Sequence, residues 1–138
     1  MASEETRSAH PAQLLHAMLR VANLERSLAF YAEHFGLREI RRLHFPEIPR
    51  TLVFIGHPEA NGATMQLELW HEPAQPSAPT GPQGHVGIAV HDIDAFVARL
   101  AARGVAILQP VGALRPGGRR LAVIADPDGH ELELLAQN

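Results

Sequence analysis

Apolar and polar positions along the chain follow a pattern that occurs twice. Residues 16–24 read HAMLRVANL and residues 85–93 read HVGIAVHDI, so in each segment a histidine opens an apolar run and a short polar turn follows. After each turn, apolar residues recur at helical spacing, up to Gly36 in the first copy and Gly104 in the second. This pattern predicts a strand followed by an amphipathic helix in both copies, because glycine commonly ends a helix in the left-handed conformation.

Both copies also close in the same way, with a glutamate between two leucines. Residues 67–69 and residues 132–134 both read LEL, and two short stretches rich in strand-forming residues precede each of them. Short runs of this composition favour strands. We therefore predict an α+β fold made of two tandem βαβββ modules.

A proline-rich segment separates the two copies. Residues 72–84 read EPAQPSAPTGPQG, with four prolines, a composition that disfavours a helix or a central strand. We predict a loose N-terminal tail over residues 1–13, a first module over 14–71, a linker over 72–84 and a second module over 85–138.

Size and charge narrow the class of partner. The chain has 138 residues, which suits one compact unit, and its net charge of -3 disfavours nucleic acid, since phosphate binding needs a concentrated positive surface. No run reaches the roughly 20 apolar residues that crossing a bilayer requires. Residues 1–10 lack the basic start and apolar stretch of a signal peptide. We expect a small-molecule partner, no membrane association and a cytoplasmic location.

The repeat places histidine and glutamate in matching positions, at His16 and Glu68 in the first copy and at His85 and Glu133 in the second. Any one of these residues alone is ordinary, but the same order of types occurs twice. The chain has no cysteine, so a metal site would use imidazole and carboxylate groups, which suit Zn, Ni, Co, Fe or Mn. We predict that the four residues hold one divalent metal ion, with positions left open for water or substrate.

Arginines supply the candidate substrate contacts. Arg20 shares a strand face with His16, and an arginine within an apolar strand is costly to bury without an anionic partner, such as a ligand carboxylate. Arg115 and Arg119 belong to a basic loop that contains two glycines. That loop either closes over an anionic substrate or forms a solvated hairpin turn.

Five segments together resemble the vicinal oxygen chelate superfamily and, within it, the glyoxalase I family. They are LHAMLRV at 15–21, SLAFY at 27–31, LEL at 67–69, GHVGI at 84–88 and the DPDG-to-Glu ending at 126–134. The resemblance covers nearly the whole chain. It implies the paired cup-shaped sheets of that fold and a homodimer that exchanges modules, so that the first module of one chain and the second module of the other build each site.

The resemblance also implies a reaction and a metal preference. The reaction is the isomerisation of the methylglyoxal–glutathione hemithioacetal to S-lactoylglutathione through an enediolate, with Glu133 as the main base and Glu68 as the second. Compact members of the family favour Ni or Co, with Zn or Mn possible.

Substrate contacts follow from the same resemblance. Arg20 would bind a glutathione carboxylate, and Arg115 or Arg119 would lie near the glycyl end. The chain departs from the family where the fourth strand ends, because Glu72 replaces an asparagine that holds the glutamyl group. Glu72 is therefore a further candidate substrate contact.

Two other functions fit the same pattern. One is another metal-dependent enzyme of this superfamily, an epimerase or a dioxygenase, which a substrate screen with different metals would reveal. The other is a small-molecule-binding protein, like the antibiotic-binding resistance proteins of this fold, for which metal-free protein would bind its ligand tightly.

Overall fold

The computed structural model describes residues 11–74 and 84–137. Most of the predicted N-terminal tail, and residues 75–83 of the predicted linker, lie outside the described residues. The final residue of the predicted second module, Asn138, also lies outside them.

Within the described part of the chain, the two predicted modules appear in the predicted order. The first contains β1 (His16–Arg20), α1 (Leu24–Phe35), β2 (Arg38–Phe45), β3 (Arg50–Gly56) and β4 (Gln66–His71), with a short 3-10 turn at Pro58–Ala60. The second contains β5 (His85–Val90), α2 (Ile93–Ala102), β6 (Ile107–Ala113), β7 (Arg120–Ala125) and β8 (Glu131–Ala136).

Polar caps begin both helices, and glycines follow them. The side chain of Asn23 accepts a hydrogen bond from the first turn of α1, and Asp92 does the same for α2. Gly36 and Gly104 have φ angles of 66° and 81°, in the left-handed region where helices commonly end. Neither helix, nor any other in the described residues, is long and apolar enough to cross a membrane.

Each module forms a four-stranded mixed sheet in which the first and last strands are neighbours. The strand orders are β1-β4-β3-β2 and β5-β8-β7-β6. The pairs β1–β4 and β5–β8 are parallel, and the other neighbours are antiparallel. This topology confirms the predicted α+β fold of two βαβββ modules. It also brings the histidine-bearing strand of each module beside its glutamate-bearing strand.

One hydrophobic core joins the helices to one face of both sheets. Fully buried members include Tyr31 on α1, Val53 on β3 and Leu69 on β4, together with Leu100 on α2 and Leu134 on β8. Because strand side chains alternate, the residues between these core positions point to the opposite face of each sheet. We call that opposite face, which carries the predicted metal ligands, the site face.

The turn after β7 connects the two modules of the chain. The hydroxyl of Tyr31 donates to Asp126 at 2.6 Å, in a buried contact. Asp128 accepts from the backbone N–H of Ala22 at 2.9 Å and from the hydroxyl of Ser27 at 3.2 Å. The DPDG segment therefore holds the start of α1, in addition to leading the chain into β8.

Candidate metal centre

A first half-site is formed by His16 on β1 and Glu68 on β4. Their Nε2 and Oε2 atoms lie 3.0 Å apart, and the two side chains are 41% and 9% exposed. The register pairs Glu68 with Met18 on one side and with Phe54 on the other, so its carboxylate is flanked by two large side chains. The ring of Phe54 also meets the imidazole of His16 edge-on, with centroids 5.1 Å apart. The first half-site is therefore closely packed.

A second half-site is formed by His85 on β5 and Glu133 on β8. Their Nε2 and Oε2 atoms are 3.7 Å apart, with side chains 51% and 25% exposed. Glu133 is flanked by Gly87 and Val123, the smaller counterparts of the residues beside Glu68. A Cβ added at Gly87 would meet only a Leu135 methyl, at 3.6 Å, so the space beside Glu133 is open.

The donor chemistry of both half-sites fits a divalent transition metal. Each pair directs an imidazole nitrogen and a carboxylate oxygen toward one another, which are ligand types that Ni, Co, Zn and Mn accept. Among residues 11–74 and 84–137 of a single chain, however, no group of three or more His, Asp or Glu residues is placed to hold a metal ion. One chain thus supplies two separate pairs of donors, and the predicted set of four is not assembled within it.

A cluster of charged residues lies at the far end of the first sheet's site face. Glu72 is buried, and its Oε1 accepts hydrogen bonds from Arg50 Nε at 2.7 Å and from Trp70 Nε1 at 3.1 Å. The guanidinium of Arg50 also stacks on the Trp70 ring, 4.2 Å from its centroid. The hydrogen bond from Arg50 holds the pKa of the Glu72 carboxyl below its ordinary value, and the positive charge of Arg20 acts in the same direction. The structure thus brings Arg20 and Glu72, two predicted substrate contacts, to the same place.

The two arginines of the basic loop have different surroundings. Arg119 Nε donates to the backbone carbonyl of Ala136 at 2.8 Å, so this side chain contacts the end of β8. The side chain of Arg115 is exposed and makes no hydrogen bond or ion pair with the described residues. Of the two, Arg115 has the guanidinium that is available to an incoming anion.

Sequence reasoning missed three residues of the site face. Arg41 stacks on Phe54, 4.6 Å from the ring centroid, and both line a cavity of about 380 Å³ beside His16. The third residue is Arg50, at the start of β3. The run LVFI in β3 is apolar throughout, so it carries no alternation that would show which residues face the metal ligands.

Comparison with known sequences identifies the family. The sequence model of the Glyoxalase/Bleomycin resistance protein/Dioxygenase superfamily matches residues 13–134. A lactoylglutathione lyase of Neisseria meningitidis is 35% identical over 124 residues, which cover 89% of this chain and 89% of that protein. Such relatives confirm the prediction of a glyoxalase I-like enzyme.

Solved structures agree with the sequence relatives. Glyoxalase I of Leishmania major, described as trypanothione-dependent, has a TM-score of 0.75 and 35% identity, covering 91% of this chain and 86% of that one. Glyoxalase I of Zea mays has a TM-score of 0.81 and 28% identity, and the match covers 91% of this chain but only 44% of the longer maize chain. The duplicated fold, the paired His–Glu half-sites and these relatives lead to one conclusion: the chain belongs to the Glyoxalase/Bleomycin resistance protein/Dioxygenase superfamily.

Proposed function

We propose that the chain is a metal-dependent lactoylglutathione lyase, which converts the methylglyoxal–glutathione hemithioacetal to S-lactoylglutathione. One observation carries the proposal: the two modules present matched His–Glu pairs on their site faces, and neither pair gains a third donor from the described residues of its own chain. Two half-sites from different chains would together supply the four donors His16, Glu68, His85 and Glu133.

The proposed active form is a homodimer that exchanges modules. Exposed apolar side chains support it, because Met18, Leu43 and Phe45 lie on the site face of the first sheet, where the register places them on the same side as Glu68. Exposed apolar side chains on one face of a sheet are typical of an association surface. Covering it with the second module of a partner would bury these side chains and complete the metal site.

The proposed cofactor is one divalent metal ion per site, with Ni or Co favoured and Zn or Mn as alternatives. Both half-sites offer the nitrogen and oxygen donors that these ions share. When bound, such an ion supplies electrostatic stabilisation for negative charge that develops on the substrate oxygens.

The two glutamates have different proposed roles. The hydrogen on the hemithioacetal carbon leaves as a proton and a proton returns to the neighbouring carbon, so the reaction needs a carboxylate that can move. Glu133 is the more exposed of the two and lies beside the open space at Gly87. We therefore assign Glu133 as the main base, with Glu68 as the second and more closely held carboxylate.

Reloading the metal-free protein tests this function. We expect about one metal ion per chain by elemental analysis, and turnover of methylglyoxal plus glutathione after addition of Ni or Co. His85→Ala, treated identically, is the matched control and should bind metal far more weakly. Protein that takes up no metal, or that takes it up and leaves the hemithioacetal unchanged, would overturn the proposal.

The cytoplasmic location stays a prediction, which fractionation of cells that produce the chain would test.

A further inference from the structure

Arg50 lies at the start of β3, on the same face as the first half-site. Strand alternation puts Arg50, Leu52 and Phe54 on the site face, and Phe54 contacts His16. Four strand residues at about 3.3 Å each separate Arg50 from Phe54, so the Cα of Arg50 lies about 13 Å along the sheet from the level of Glu68.

The neighbours of Arg50 fix its orientation. Its Nε donates to Glu72 at 2.7 Å, and its guanidinium plane stacks on Trp70, which itself donates to the same carboxylate oxygen at 3.1 Å. Within the described parts of the chain, no group accepts a hydrogen bond from the two terminal nitrogens of Arg50. The side chain is partly exposed. A guanidinium fork held in this way matches the geometry of a carboxylate.

The buried acid does not make this end of the site negative. Glu72 contributes one negative charge, which its hydrogen bond from Arg50 stabilises, while Arg20 and Arg50 contribute two positive charges. The negative charge of Glu72 is therefore offset within the cluster. The terminal nitrogens of Arg50 only donate hydrogen bonds, so a ligand group that reaches them would be an acceptor such as a carboxylate.

We propose that Arg50 is a carboxylate-binding specificity residue for the thiol part of the substrate, and that Glu72 positions Arg50 rather than contacting the substrate itself. This inference rests on the proposed lyase function. The separation along the strands from the metal ligands favours a substrate whose carboxylate lies many bonds from the reacting carbon, as in a peptide-length thiol. The adduct of a short thiol acid such as mercaptoacetate would hold its carboxylate close to the metal ligands instead.

Binding of a non-reacting thioether tests the role of Arg50 separately from turnover. Calorimetry with metal-loaded protein would compare S-hexylglutathione with two analogues in which each glutathione carboxylate is amidated in turn. Arg50→Gln should weaken binding of the parent ligand about 10- to 100-fold, the range for losing a charged bidentate contact. One of the two amides lacks the carboxylate that Arg50 would bind. For that amide, Arg50→Gln should change the Kd less than about threefold. Arg42→Gln, an arginine on the opposite face of the sheet, is the matched control and should bind like the parent.

Kinetics separate a binding role from a structural one. Arg50→Gln should raise KM for the glutathione adduct while kcat stays within about threefold, as expected when uniform binding is lost. Arg50→Lys keeps the charge but not the fork, and should recover only part of the affinity. An equal effect of Arg50→Gln on the parent ligand and on both amides would overturn the inference, as would unchanged binding.

Substitutions at Glu72 test its positioning role. Glu72→Gln keeps an oxygen that accepts from Arg50 and Trp70, so we expect ligand affinity within about threefold of the parent, whereas Glu72→Ala should weaken binding nearly as much as Arg50→Gln. If Glu72 instead bound a substrate cation, Glu72→Gln would weaken binding and Arg50→Gln would not. Failure of the lyase function would appear as an inactive parent enzyme with every metal, whereas failure of this inference leaves the parent active and Arg50→Gln equal to it.

Discussion

The two half-sites have the same ligand types on equivalent strands, yet their surroundings differ. Glu68 is flanked by Met18 and Phe54, whereas Glu133 is flanked by Gly87 and Val123. The contact between imidazole and carboxylate is correspondingly shorter in the first half-site, at 3.0 Å, than in the second, at 3.7 Å.

This difference shows how a duplicated unit can give its two equivalent carboxylates different roles. In the proposed site, equivalent strand positions would supply four donors for one ion, and the neighbouring side chains distinguish the two carboxylates. Glu68, which large side chains cover, suits a fixed metal ligand. Glu133, with open space beside it, suits a carboxylate that moves to exchange a proton. Substitutions that remove this difference, or that leave it intact, therefore test the division of roles.

The largest effect is expected from removing the proposed base, Glu133. Glu133→Gln keeps an oxygen donor but no base, so kcat should fall at least about a hundredfold while metal is partly retained. Glu68→Gln should lower kcat less and metal affinity more. Steady-state kinetics beside metal analysis would measure both variants. The division of roles is wrong if metal-loaded Glu133→Gln turns over substrate at the parent rate.

Filling the open space should produce the next largest effect. Gly87→Met gives the second half-site the side chain that covers Glu68 in the first, and the backbone at Gly87 does not require glycine, because its φ is not positive. We expect kcat to fall about tenfold through restricted movement of Glu133, with metal stoichiometry unchanged. Gly87→Ala, which adds only a methyl group in ordinary contact distance, is the control. Equal kcat for the alanine and methionine variants would show that the space has no role.

A smaller effect, on stability alone, is expected at the contact between modules. Tyr31→Phe removes the 2.6 Å hydrogen bond to Asp126, and such bonds to charged groups contribute about 1.5–3 kcal/mol. The free energy of unfolding in urea should fall by about that amount. In the Tyr31→Phe background, the ratio between the kcat losses caused by Glu133→Gln and by Glu68→Gln should stay the same. A shift in that ratio would mean that the contact also shapes one half-site.

The smallest effect is expected at His71, beside the charged cluster. Its ring nitrogen lies 3.2 Å from the carbonyl of Val21, and it is not among the predicted ligands. His71→Ala should therefore keep kcat within about twofold, because the substitution removes one hydrogen bond and no predicted metal ligand. Loss of metal from this variant would require the ligand set to be revised.

The repeat made most of the fold predictable from sequence. The helix ends followed from local signals, Gly36 and Gly104, which act within a few residues of their position. The four ligand candidates followed from types that recur at the same place in each copy. The contacts that could not be predicted depend on pairing between positions far apart in the sequence. Arg50 contacts Glu72, 22 residues away, through the β3–β4 register, and Tyr31 contacts Asp126, 95 residues away.

Mixing complementary variants tests the central claim, that half-sites from two chains build each metal site. One variant carries His16→Ala with Glu68→Ala, the other His85→Ala with Glu133→Ala, and each alone should be inactive and bind no stoichiometric metal. Co-folded in equal amounts, half of the dimers should contain one complete site, so activity should return to roughly a quarter of the parent value. Light scattering would verify that the mixture is dimeric. A dimeric mixture that stays inactive and metal-free would contradict the account.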